Sequence, residues 1–200
     1  MKVVGICGSH RKDGNTKAMV ERVLDACIKA GFKTELVELA EKEVGYCTNC
    51  DLCKGKYDCS IEDDVWSIIE SMEGADAVVI GSPVYFGGMS GKLKALFDRT
   101  LPLRRNGMKL SGKIGAALAV GGSRNGGQEY TISDIHHWML IHEMTIIGDK
   151  KTAHFGGICT ARGPGEVLKD TAGMETVENT GQRIIELLKQ KKPWISVSTK

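Results

Sequence analysis

This 200-residue chain lacks a long apolar run, a dominant sign of charge and any internal repeat. The run from Val3 to Cys7 is far too short for a membrane span or for the apolar region of a signal peptide, and no cleavage site follows it. A cytoplasmic protein without membrane attachment is expected. The formal charge is only +2, and no basic stripe interleaved with aromatics is present, which removes any long-range pull on nucleic acid. Missing too are the Gly-Lys-Ser/Thr of a Walker loop and the G-x-G-x-x-G of a dinucleotide fold, so neither nucleotide hydrolysis nor a Rossmann site is expected. Seven cysteines, an odd number with four clustered, do not make a secreted disulfide framework; a reducing compartment suits them.

What is present reads as α/β. Apolar runs alternate with amphipathic stretches, the pattern of a parallel sheet covered by helices. Strands are predicted at Val3–Cys7, Thr34–Leu39, Ala77–Ile80, Ile114–Val120 and Met144–Ile147. Helices are predicted at Thr16–Ala30, across Val65 to Met72, at Gly91–Arg99, Tyr130–Ile141 and Met174–Lys189. Five strands in this alternation fit a doubly wound sheet of the flavodoxin type, order 2-1-3-4-5, in one domain over residues 1–192 with a polar tail at 193–200. Ligands in such sheets sit beyond the carboxyl ends of the strands.

Three glycine-rich loops fall at those ends. Gly8 to Thr16 offers Ser9, Asn15, Thr16 and a helix start, an anion site suited to a terminal phosphate; capping of the helix by Asn15 or Thr16 is the plainer role. Gly81 to Gly91 places Tyr85 and Phe86 beside glycines, where backbone can approach a flat ring; the alternative is a turn with two buried aromatics. Gly121 to Gly127 follows the fourth strand.

The most specific feature is the run Cys47, Cys50, Cys53, Cys59, spaced C-x2-C-x2-C-x5-C. Buried structural cysteines scatter singly, whereas four close thiolates can wrap one small polynuclear centre, as the related C-x2-C-x2-C-x3-C run does for iron–sulfur clusters. Structural zinc is the main rival, although its sites usually hold two cysteine pairs apart by a spacer that is missing here; a redox disulfide is a further alternative. Lys54, Lys56, Asp51 and Asp58 lie within the run as candidates for tuning such a centre. Cys7 and Cys27 read as packing residues and Cys159 as an uninvolved thiol in a loop after strand five. His136, His137 and His142 read as parts of a helix face, with metal or flavin contact the less favoured role.

G-S-x-R-x-x-x-N-T at 8–16 and S-P-V-Y-F-G at 82–87 resemble the NADPH-dependent FMN reductase superfamily, and the cysteine run resembles its iron–sulfur flavoprotein branch. The resemblance covers nearly the whole chain. It implies one FMN and one [4Fe–4S] cluster per subunit, in a homodimer or homotetramer. By that match Ser9, Arg11, Asn15 and Thr16 hold the FMN phosphate. Pro83, Val84, Tyr85, Phe86 and Gly87 lie along the isoalloxazine ring, with Gly121, Gly122 and Gly126 on another edge. Cys47, Cys50, Cys53 and Cys59 ligate the cluster. Leu96 to Arg99 resembles the helix near the dimer contact, and a surface ion pair is the plainer role for Asp98 and Arg99. The implied activity is electron transfer from a one-electron donor such as ferredoxin to a small-molecule acceptor. An NAD(P)H-dependent flavin, quinone or azo reductase with structural zinc or a degraded cluster, and a non-enzymatic redox sensor, are the alternatives.

Overall fold

The computed structural model describes residues 1–190; the expected tail at 193–200 lies outside them. The strands are β1 (Lys2–Cys7), β2 (Lys33–Glu38), β3 (Ala77–Pro83), β4 (Ile114–Gly121), β5 (Thr145–Ile147) and β6 (Gly157–Thr160). All pair in parallel, in the order β2-β1-β3-β4-β5, with β6 also on β4. The flavodoxin-like order expected from the alternation is the order observed.

Period-2 alternation divides the core into two layers. Val4, Ile6, Val78 and Ile80 face α2 (Val65–Glu73), α3 (Gly91–Arg99), α4 (Leu101–Arg105) and α5 (Gln128–Ile141). Val3, Val79, Leu118 and Val120 face α1 (Asn15–Lys29) and α6 (Thr171–Gln190). Strands buried on both faces become continuous apolar runs, which is why β3 and β4 are legible in the sequence.

Two features depart from expectation. The fifth strand is built in two pieces, since β5 pairs with Ile114–Ala116 and β6 with Leu118–Gly121. Gly156 lies where the chain returns, and a side chain there would collide with the Ala117 carbonyl oxygen. Cys159 therefore sits in a strand rather than a loop, and burial pushes its thiol up to about 12. Burial likewise pushes Cys7 and Cys27 up to about 11, as packing residues. The second departure is α4, a five-residue helix with Pro102 in its first turn, which follows α3 after Thr100.

Arg99 corrects the surface ion-pair expectation. It is 2% exposed, and its partner is Asp63, not Asp98, which pairs with Lys94 at the surface. Arg99 Nη1 donates to Asp63 Oδ2 at 2.8 Å and Nη2 to Oδ1 at 3.0 Å. The same two nitrogens reach the Gly45 and Ile61 carbonyls, each at 3.2 Å, while Asp63 accepts from the backbone N–H groups of Gly45 and Val65. One ion pair thus fastens both ends of the cysteine-bearing segment to α3.

A second buried network joins α5 to the segment between α3 and α4. Thr100 Oγ1 donates to the Phe97 carbonyl and accepts from Trp138 Nε1 at 2.9 Å. With its one proton spent, it must also accept from His142 Nε2 at 3.0 Å. His142 Nδ1 is then the protonatable atom, and it is buried without a partner.

Burial pushes the Asp63 carboxyl up, but Arg99 and the two backbone donors outweigh it and hold its pKa below the ordinary value. Its stabilisation is therefore full above an Asp's ordinary value of about 3.9 and is lost as pH falls through the lower folded-state value. Asp63→Ala, which strands a buried guanidinium, is expected to cost about 3–5 kcal/mol in urea unfolding at neutral pH; a cost below about 1 kcal/mol refutes the clamp. His142 acts in a different window. Burial, with Arg104 nearby, pushes its imidazole from 6.5 down to about 4. Below pH 6.5 the unfolded chain takes up a proton that the folded one refuses, so stability falls between those values by up to about 3 kcal/mol. In His142→Gln the urea midpoint is expected to be flatter across that window; an unchanged slope contradicts this origin.

Candidate functional site

The carboxyl ends of the strands gather the three glycine-rich loops. Gly8 N donates to the Gly81 carbonyl at 2.7 Å, and Ser90 Oγ donates to the Gly8 carbonyl at 2.5 Å while capping α3. The loop after β1 is thereby held against the start of α3. Ser9 is buried and its Oγ accepts from Arg11 N at 3.0 Å, whereas the Arg11 side chain is exposed. Neither Asn15 nor Thr16 caps α1. Gly14 holds the cap position, and the first turn has no acidic residue and no side-chain cap. Asn15 instead donates to the Gly163 carbonyl at 2.9 Å and accepts from Val167 N at 3.3 Å.

The loop after β3 is a tight turn in which Tyr85 and Gly88 exchange backbone hydrogen bonds at 2.9 and 3.2 Å. Phe86 and Gly87 form its tip with φ of +50° and +82°, the signature of a type I′ turn. The aromatics are not buried, against the plainer reading: Phe86 is fully exposed, and Tyr85 is about half-exposed and stacks on His10. Pro83 ends β3 and Val84 leads into the turn. Gly127 abuts Gly87, and a Cβ there would stand 2.9 Å from the Gly87 Cα, so the second and third loops touch through glycines. Buried Gln128 closes the third loop from within, accepting from Gly126 N and donating to the Ser123 carbonyl; Gly121 lies against its side chain.

A fourth segment, 161–166, also reaches this rim. Arg162 Nε donates to the Gly122 carbonyl at 2.7 Å, and Gly163 is the residue that Asn15 holds. The sequence does not announce this segment, because two glycines and a length of four residues make β6 resemble a loop; in the fold Gly157 and Cys159 are buried and Ile158 and Thr160 half-buried.

The four clustered cysteines line a single cavity beside α3 and α4. Asn49 and Asp51 adopt φ of +53° and +62°, the left-handed conformation these residue types tolerate best, and this folds the run back on itself. Polar groups surround the sulfurs. Ser60 Oγ lies 3.0 Å from Cys50 Sγ and, with the Leu52 backbone, holds the Cys50 thiol below its ordinary pKa. Arg105 Nη1 donates to Cys53 Sγ at 3.1 Å. Arg99 lines the cavity with a buried Nε that has no hydrogen-bond partner; burial disfavours its charge, and Asp63, with Cys59 after it, outweighs that. Among the described residues no three His, Cys, Asp or Glu side chains stand close enough to hold a single metal ion. Four thiols around one cavity, with cationic and hydroxyl donors at the sulfurs and an orphaned donor in its wall, fit an anionic sulfur-ligated centre.

A larger groove of about 890 Å3 runs between α3–α4 and α5, from Gly88 and Met89 at the β3 turn to Cys47. His137 and His142 both line it. His136 is half-buried and its Nε2 has no partner. The histidines do not converge on a metal site among the described residues.

Comparison with known proteins agrees with this geometry. Residues 1–156 match the family model described as NADPH-dependent FMN reductase. An iron–sulfur flavoprotein of Methanocaldococcus jannaschii is 48% identical over 94% of this chain and 98% of its own length. One from Methanosarcina thermophila is 45% identical over 94% of this chain and 95% of its own. Among solved structures, a flavodoxin-type WrbA-like protein from Agrobacterium tumefaciens superposes with a TM-score of 0.64 at 19% identity, covering 96% of this chain and 98% of that one, which speaks to the fold. Among the described residues no helix is long and apolar enough to cross a membrane. The chain belongs to the iron–sulfur flavoproteins of the NADPH-dependent FMN reductase family and is an FMN-dependent oxidoreductase.

Proposed function

We propose that this protein carries electrons from a one-electron donor such as ferredoxin, through a [4Fe–4S] cluster on Cys47, Cys50, Cys53 and Cys59, to FMN and on to a small acceptor. The observation that carries the reading is the cysteine cavity, in which Ser60 and Arg105 reach the sulfurs and Arg99 keeps an unpartnered N–H. When bound, FMN exchanges two electrons and the cluster one, so a one-electron donor can serve a two-electron acceptor.

The chain's own groups supply binding and orientation. Ser9, Thr16 and the uncapped N–H groups of α1 receive the FMN phosphate, with the positive end of the helix dipole behind them. Arg11, exposed at the loop's edge, adds charge. Asn15 acts through its backbone, because its side chain is committed to the 163–167 segment. Pro83, Val84, Tyr85, Phe86 and Gly87 line the ring, and the exposed Phe86 screens it from water. Gly121, Gly122 and Gly126 form the opposite edge.

The assembly is a homodimer or homotetramer. Tyr130, Asp134, His137 and Ile141 recur at helical spacing on α5, the last three lining the 890 Å3 groove, and Tyr130 and Ile141 are 75% and 60% exposed. Exposed Tyr130, Leu140 and Ile141 beside a groove call for a covering partner. Seven cysteines outside any disulfide suit the reducing cytoplasm. Lys54 and Lys56, both exposed in the cysteine segment, offer a landing point for an acidic donor.

Two measurements test this. Anaerobically purified protein is expected to contain about four iron, four acid-labile sulfide and one FMN per chain; flavin with one zinc and no sulfide overturns the cluster and leaves an NAD(P)H-driven reductase. Replacing both lysines, Lys54→Glu with Lys56→Glu, is expected to slow ferredoxin-driven flavin reduction about tenfold at low salt. An unchanged rate and salt dependence rule out docking at that face.

A further inference from the structure

Arg105 stands at the end of α4, outside the cysteine run, yet it reaches into it. Its Nη1 donates both to Cys53 Sγ and to Asp51 Oδ1, each at 3.1 Å. The next residue, Asn106, donates to the Cys53 carbonyl at 3.2 Å and to the Pro102 carbonyl at 3.0 Å, so the end of α4 is tied to the backbone of the same cysteine. Cys53 is thus held at its sulfur and at its carbonyl by one short helix. Asp51 in turn pairs with Lys54. Two cations therefore share one carboxylate, and one of them also donates to a cysteine sulfur.

A donor on a ligand sulfur favours the state that carries more negative charge. Uptake of one electron from a one-electron donor adds one negative charge to a cysteine-ligated cluster and its sulfurs, with no proton and no bond change required. A guanidinium is always charged and points its N–H groups in a fixed fork, so its effect does not vary with pH. Lys54 lies close in sequence, and its ammonium pairs with Asp51.

Building on the cluster proposed above, we propose that Arg105 is a positioning residue that raises the reduction potential of the centre by donating a charged hydrogen bond to Cys53, and that Lys54 does not set that potential. Lys54 and Asp58, two of the charges within the run, contact the loop itself, and the group that reaches the sulfur comes from a helix far along the chain (Cys53 to Arg105, 52 residues apart).

The test compares wild type, Arg105→Gln, Arg105→Lys and Lys54→Gln, each purified without oxygen and assayed for iron, labile sulfide and thermal midpoint, with the cluster potential read by electron paramagnetic resonance in a dithionite titration. Gln removes the charge and is too short to reach the sulfur, whereas Lys keeps a charged donor of closer reach. A more negative potential in Arg105→Gln, recovered in part by Arg105→Lys and not reproduced by Lys54→Gln, supports the inference. A potential in Arg105→Gln equal to wild type, or shifted no more than in Lys54→Gln, overturns it, even if cluster content or thermal midpoint falls. Wild-type protein without labile sulfide overturns the cluster reading itself, and this inference with it.

Discussion

The cysteine segment depends on one buried ion pair. Between Gly45 and Ile61 the chain has a single short helical turn, Leu52–Lys54, and both Cys47 and Cys50 are exposed, so little apolar burial holds it in shape. Ordering such a stretch costs about 1–2 kcal/mol per residue in backbone entropy. Arg99 and Asp63 work against that cost by gripping both ends at once, through the carbonyls of Gly45 and Ile61 and the N–H of Gly45. Burying two charges is itself unfavourable, and only bidentate geometry with further hydrogen bonds offsets it. The pair serves less as a source of stability than as a device that leaves one arrangement possible.

The same helix links the two halves of the chemistry. α3 is capped by Ser90, whose hydroxyl donates to the Gly8 carbonyl at the loop after β1, and ends at Arg99 beside the cysteines. Nine helical residues span about 14 Å. A rigid rod of that length fixes the loop after β1 and the cysteine neck relative to each other without a domain hinge. The groove along its flank, reaching from the β3 turn to Cys47, is the surface the two sites share.

Much of this was legible in the sequence because the signals were local. β1, β3 and β4 are apolar runs, α1 and α3 carry apolar residues at helical spacing, and four cysteines within thirteen positions announce a thiol-lined site whatever fills it. The remainder was hidden because it depends on distant partners. Arg99 looks like a surface charge until Asp63 arrives from the far end of a loop. Arg105 carries no motif, and its meaning lies in Cys53, reached across α3 and α4. Asn15 reads as a cap, but its side chain is taken by Gly163 and Val167 on the opposite side of the chain. β6 escaped notice since a pair of glycines and a four-residue length resemble a loop.

The divided fifth strand is a natural graft point. Between Ile147 and Gly157 the chain leaves the sheet and returns one step further along β4, and Asp149 closes the excursion by accepting from the N–H groups of Thr152 and His154. Its length is decoupled from the register on either side, and loop entropy grows only slowly with added residues. Descendants of this chain can acquire a docking arm, a lid or a tether there while the strand registers that carry the rim stay in place.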